Sequence, residues 1–183
     1  MLADGMFVQP IHGKGVRVIW LKGETDMLGA LEEVESFGEF AKRNNAVAST
    51  DVKSFEHLVC TEQLSRRLGF KVGEELIRVV RVRSLNGNAR QVDHGYFLES
   101  IAKGLTPEIA AKSIYDYLEH KRGVKVMASR RTVSVELAND EDCSYLDLGK
   151  YNCVAVMESQ SYTSDGILFE VTHARTHPEI FHY

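Results

Sequence analysis

Two stretches of the chain carry the same order of folding signals. Residues 64–97 run short helix, Leu68-Gly69, strand, Asn86-Gly87 turn, strand; residues 142–175 run short helix, Leu148-Gly149, strand, Asp165-Gly166 turn, strand. The glycine turns are 79 residues apart and the Leu-Gly pairs 80 apart, so the copies stay in register to within one residue. Asn-Gly between two β-prone runs is a strong hairpin signal, because both central residues of the tightest hairpin turn need positive φ. A duplicated helix-plus-hairpin unit predicts an α+β fold: an antiparallel sheet with pseudo-twofold symmetry and helices packed on one face of it.

The remaining elements follow from local chemistry. Met6–Ile11 and Val16–Trp20 flank His12-Gly13-Lys14-Gly15 and predict a small hairpin. Ser36-Phe37-Gly38-Glu39 has the Ser-x-x-Glu spacing of a capping box, so a helix starts there, after a separate helical stretch from Thr25. A strand begins near Thr50, and a short helix covers Glu62–Leu68, stopped by Gly69. Leu76–Arg83 and Ala89–Leu98 form the hairpin around Asn86-Gly87. Thr106-Pro107-Glu108 opens a helical turn, and Ser113 caps a further helix ending near Gly123.

Composition bounds the function. A chain of 183 residues with 44% hydrophobic side chains can build a core without staples. Cys60, Cys143 and Cys153 are odd in number and unpaired in spacing, which suits a reducing compartment and neither a disulfide framework nor a zinc cage. No apolar run reaches the roughly 18 residues of a membrane span, and no signal peptide opens the chain, so the expected location is cytoplasmic. A net charge of −4 lacks the basic footprint of an independent nucleic-acid-binding domain. His173, His177 and His182 invite a metal reading, but Pro178 breaks the strand and no third ligand has useful spacing. No phosphate-binding loop, nucleophile elbow or zinc-protease motif is present, so neither a cofactor nor catalysis is expected.

One constellation does suit an anion. Arg81 and Arg83 are two apart on a strand and leave the same face, beside Ile77 and Val79. Guanidiniums on a partly apolar face need partners, since an unpaired buried charge is costly. Those partners are either carboxylates of the fold, such as Asp93 or Glu170, or a ligand. Register decides where Asp93 goes. A two-residue Asn86-Gly87 loop sets it opposite Val80, on the other face, whereas a three-residue Asn86–Asn88 loop sets it opposite Arg81, and the latter is expected here. Ser113 and Ser36 either only cap their helices or add helix starts that favour an anion. Together these groups suit an anionic, hydroxyl-rich small molecule such as a sugar phosphate.

These residues also carry a resemblance. Leu68-Gly69-Phe70 through Arg81-Val82-Arg83, Ser113-Ile114-Tyr115 with Leu118, and Tyr162, Asp165-Gly166, Glu170 and Arg175 before Phe181 resemble the effector-binding domain of the HutC subfamily of GntR-type bacterial transcription regulators. That domain, the UbiC transcription regulator-associated (UTRA) domain, has a fold similar to chorismate lyase. Leu2–Met6 and Gly13–Val18 resemble the end of the family's winged helix-turn-helix domain, whose recognition helix would precede Met1. The resemblance implies residues 1–20 as wing and linker and 21–183 as effector domain. It places Arg81, Arg83, Ser113, Tyr115 and Glu170 in the effector pocket, with Ser36-Phe37-Gly38 closing over a phosphate. Asp93 stands where the family commonly has Glu, so its reach to a ligand hydroxyl differs, and Val16 replaces the usual Thr of the wing.

The function this implies is a ligand-sensing, dimerising domain of a repressor, binding a small anionic metabolite that modulates operator DNA binding. Lys14 and Arg17 would touch DNA phosphates, which positions a protein without specifying sequence. The rival from another class is an enzyme of the chorismate lyase type, against which the wing remnant argues. A dimerisation module without a ligand is a third reading.

Overall fold

The computed structural model describes residues 8–11, 15–18 and 37–181. The opening hairpin is present as β1 (Val8–Ile11) and β2 (Gly15–Val18), paired with Gln9 opposite Arg17. The Thr25 stretch, Lys14 and Ser36 lie outside the described residues.

The main body is a six-stranded antiparallel sheet. In chain order come α1 (Phe37–Arg43), β3 (Ala48–Val59), α2 (Glu62–Leu68), β4 (Glu75–Leu85), β5 (Asn88–Leu98), α3 (Pro107–Ala110), α4 (Ile114–Arg122), β6 (Val126–Leu137), α5 (Asp140–Tyr145), β7 (Cys153–Thr163) and β8 (Leu168–Thr176), then a 3-10 turn at Pro178–Ile180. Strand order is β3-β4-β5-β8-β7-β6. That order is a palindrome of the duplicated unit: β3-α2-β4-β5 supplies one half, β6-α5-β7-β8 the other. The repeat therefore reaches one strand further back than the helix-plus-hairpin signal suggested. β6, which the sequence reading passed over, starts and ends 78 residues after β3.

The helix limits follow their caps. Thr61 accepts from the Leu64 amide, and Gly69 closes α2 at φ 89°, where a side chain would be strained. Thr106 and Ser113 cap α3 and α4 in the same way. Asn139 and Asp142 form a reciprocal capping box on α5.

Two expectations need correction. The first concerns the β4–β5 hairpin. Asn86 and Gly87 have φ of 51° and 82°, and Leu85 pairs with Asn88, so the loop has two residues and not three. Asp93 nevertheless faces Arg81. The register moves because Ser84 pairs with Ala89 while Arg83 pairs with Gln91, leaving Arg90 as a bulge. The bulge is held from across the sheet: the Arg90 carbonyl accepts from the His177 amide at 2.8 Å, and Arg90 Nη1 reaches Glu179 at 3.1 Å.

The second concerns helix placement, because helices cover both faces. Tyr145 of α5 and its C-cap Leu146 pack with Val80, Val92, Val154 and Val156, which point to one side. The start of α4 and Phe37 of α1 stand over the arginine side. Arg175 fixes α5 in place. Its Nε and Nη2 both bond the fully buried Asp142 carboxylate at 2.9–3.0 Å, and Nη1 bonds Glu136 at 2.5 Å. With a helix on each side, both faces of the central strands are covered, and most residues of β4 are buried whichever way they point.

Candidate functional site

Strand alternation sends Arg81 and Arg83 of β4, Gln91 and Asp93 of β5, Glu170 of β8 and Ser159 of β7 to the same side of the sheet. There they line a cavity of about 230 Å³ with Phe37 and Gly38 of α1 and Ser113 and Tyr115 at the start of α4. Every described residue expected at the site is therefore in one cavity.

Its floor is an ion-pair cluster. One Asp93 oxygen accepts from Arg81 Nη2 at 2.5 Å, from Arg83 Nη2 at 2.8 Å and from Arg83 Nε at 3.2 Å. Burial pushes the Asp93 carboxyl up, but the two guanidiniums outweigh it and hold the carboxyl at about 2. Burial and the neighbouring Arg83 pull Arg81 below the ordinary arginine value, yet a guanidinium stays cationic at any physiological pH. Among the buried side-chain atoms described, Arg81 Nε has no acceptor. The carboxylate partners raised from sequence are thus partly realised: Asp93 serves both arginines, and Glu170 does not bond either.

Glu170 is instead bonded by the Tyr115 hydroxyl, which also meets Ser161 Oγ at 3.1 Å. Burial raises the Glu170 carboxyl, and burial together with Glu170 raises the Tyr115 phenol well above its usual value. Ser113 accepts from the Asp116 amide at 3.2 Å, so it caps α4 while lining the cavity. The Arg83 guanidinium lies 5.2 Å from the Phe37 ring centre, which ties α1 to the floor.

Sequence reasoning missed Arg131 on β6 and Gln91, Ser159 and Thr176 among the lining residues. Arg131 was findable, because the alternation of Val133, Val135 and Leu137 marks a strand whose other odd positions point the same way. With Arg131 and Lys112, the wall has four cationic side chains against two carboxyls, a local reversal of the chain's net charge of −4. Arg175, although part of the resembling pattern, lies on the opposite face.

A sheet platform and a cation-lined cavity, with residues of α1 and of the start of α4 in its wall, are the frame of a small-molecule binding domain. The UTRA domain profile matches residues 43–182, and the chain belongs to that family. It is 28% identical over 183 residues, all of this chain and 76% of the relative, to the HTH-type transcriptional regulator TreR of Bacillus subtilis (strain 168). It is 31% identical over 143 residues to the uncharacterised HTH-type transcriptional regulator YydK of the same organism, spanning 75% of this chain and 57% of that one. The solved effector-binding domain of the B. subtilis trehalose repressor superposes with a TM-score of 0.67 at 27% identity, covering 74% of this chain and 94% of that one. These relatives are transcriptional regulators, which sets the enzyme alternative aside, and the domain's role is ligand sensing within a transcriptional regulator. No helix among the described residues is long and apolar enough to cross a membrane.

Proposed function

We propose that the cavity binds a small anionic metabolite, a phosphorylated sugar or amino sugar, and that occupancy alters operator binding by a dimeric GntR/HutC-type regulator. The observation that carries this reading is the convergence of Arg81 and Arg83 on one oxygen of Asp93, with Arg81 Nε left without an acceptor. Two guanidiniums sharing one carboxylate oxygen retain donors in a planar, forked arrangement that suits a phosphate. Asp93, Glu170 and Tyr115 supply partners for sugar hydroxyls. Phe37 and Gly38 on α1 and Ser113, the N-cap of α4, would close on the bound molecule from the wall they line. The 27% likeness to a trehalose repressor's effector domain supports a sugar-derived ligand.

Edge strand β6 supports the dimer. It is 12 residues long, and Val133, Val135 and Leu137 are exposed along it. A long apolar edge left unpaired is an aggregation hazard, and antiparallel pairing with a second copy removes it by a self-complementary contact. Lys14 and Arg17 would contact DNA phosphates beside the regulator's reading helix. Induction then requires that effector and operator weaken each other's binding by the same factor.

Calorimetry with a panel of sugar phosphates tests the site. At least one should bind the wild-type protein and bind Arg83→Ala at least tenfold more weakly. Equal affinity for both proteins would sink the assignment.

A further inference from the structure

The face of the sheet turned away from the arginine pair carries a second cavity, of about 480 Å³. Its place follows from the duplication. β5 and β8 pair with His94 opposite His173, and these histidines are 79 residues apart, like the two glycine turns. The pseudo-twofold axis therefore passes between them. Their ring centres are 6.5 Å apart; His94 bonds Glu141 at 2.9 Å, and His173 lies 3.8 Å from Glu158.

Two residues along, one row of registered pairs crosses the sheet: Arg130 on β6, Gln160, Val171, Tyr96, then Arg78 on β4. Arg67, in the last turn of α2, sits 5.6 Å from the Tyr96 ring centre and donates to its hydroxyl at 2.8 Å. Arg78 has a carboxylate in Glu56 at 3.2 Å, and Arg175 has Asp142 and Glu136. Arg67 bonds a neutral phenol, and Arg130 has no carboxylate partner among the described residues.

We propose that this cavity is a second anion site, taking a small metabolite whose phosphate or carboxylate groups meet Arg67 and Arg130 and whose body lies on Tyr96 and Val171. The spacing is right for one molecule. Tyr96, which holds Arg67, and Arg130 are three strands apart, about 14 Å, and both arginines line the same cavity. Guanidiniums lacking a carboxylate are the groups that gain most from an oxyanion. His94 and His173 also line the cavity, each with its Nε2 turned to a carboxylate, Glu141 and Glu158, that lines it too. The site is separate from the effector pocket: Asp93 and His94 are neighbours on β5 but point to opposite faces.

The test titrates pyrophosphate, and in a separate arm citrate, into the wild-type chain, Arg83→Ala and the double variant Arg67→Ala/Arg130→Ala. Calorimetry reads affinity, and NMR of the histidine ring protons, assigned with His94→Gln, reads location. The expected result is that Arg83→Ala keeps a binding event that shifts the His94 and His173 signals, while the double variant loses at least tenfold in that event. The two arms separate a phosphate from a carboxylate ligand. The proposal is overturned if neither probe moves the His94 and His173 signals in wild type or Arg83→Ala, or if the double variant binds as wild type does. Arg67 and Arg130 are exposed, so replacing them leaves the core intact. Because the readout sits on these histidines, failure here leaves the Arg83-dependent effector site standing, and the converse holds as well.

Discussion

Replacing Asp93 with alanine should weaken the fold and strengthen anion binding at once. The carboxyl is held at about 2 against an ordinary 3.8, and a depression of roughly two units corresponds to about 2.5 kcal/mol of stability at neutral pH. Because the folded value is the lower one, that contribution is complete above 3.8 and disappears as pH falls toward 2. Deletion costs more than the shift, since Arg81 and Arg83 stay behind with side chains only 4% and 16% exposed. Breaking a buried pair from one side costs about 3–5 kcal/mol. The same two guanidiniums, now without their carboxylate, would favour an added anion. At a hundredfold excess over its Kd an anion returns about 2.7 kcal/mol. Urea unfolding of wild type and Asp93→Ala in chloride and in sulfate at matched ionic strength checks both halves. The variant should be less stable in chloride and gain more from sulfate than wild type does. A variant as stable as wild type at neutral pH, or an equal gain from sulfate in both proteins, would refute the electrostatic argument.

Two further outcomes are expected. Burial raises the Glu170 carboxyl, so wild type loses stability as pH climbs from 4.5 through the raised value, a loss Glu170→Gln avoids while still accepting from Tyr115. The variant's Tm should gain on wild type over that range, and parallel Tm profiles would exclude the effect. Arg175→Ala strands the fully buried Asp142 and should cost about 3–5 kcal/mol in urea unfolding. Its effector affinity, measured by calorimetry on the folded variant, should match wild type because Arg175 lies on the other face.

Much of the site was legible because its parts are set by short-range rules. Arg81 and Arg83 share a face because they are two apart on a strand, and Ser113 starts α4 because its hydroxyl can take the Asp116 amide. Tyr115 entered by resemblance and Glu170 first as a possible partner of the arginines, and the structure adds that they bond each other. Arg131 was overlooked because its strand was overlooked, although the repeat, carried one element further back, points to β6. The Asp93 position came out as expected for a reason the sequence reading did not supply. The loop is the short one, and the extra residue is Arg90.

By itself, then, the sequence determined the helices, the hairpins, their duplication and the pairing of two arginines on one face. All of these depend on contacts within a few residues or on strand period. The tertiary structure alone decided where the Arg90 bulge falls, that helices cover both faces, and that a second cavity lies on the pseudo-twofold axis. The bulge depends on His177 and Glu179, nearly ninety residues away from Arg90. The choice of face rests on Asp142 finding Arg175 across the fold. Interactions between residues so far apart leave no local pattern, because each partner is an ordinary polar side chain until the sheet closes and brings the two within bonding distance.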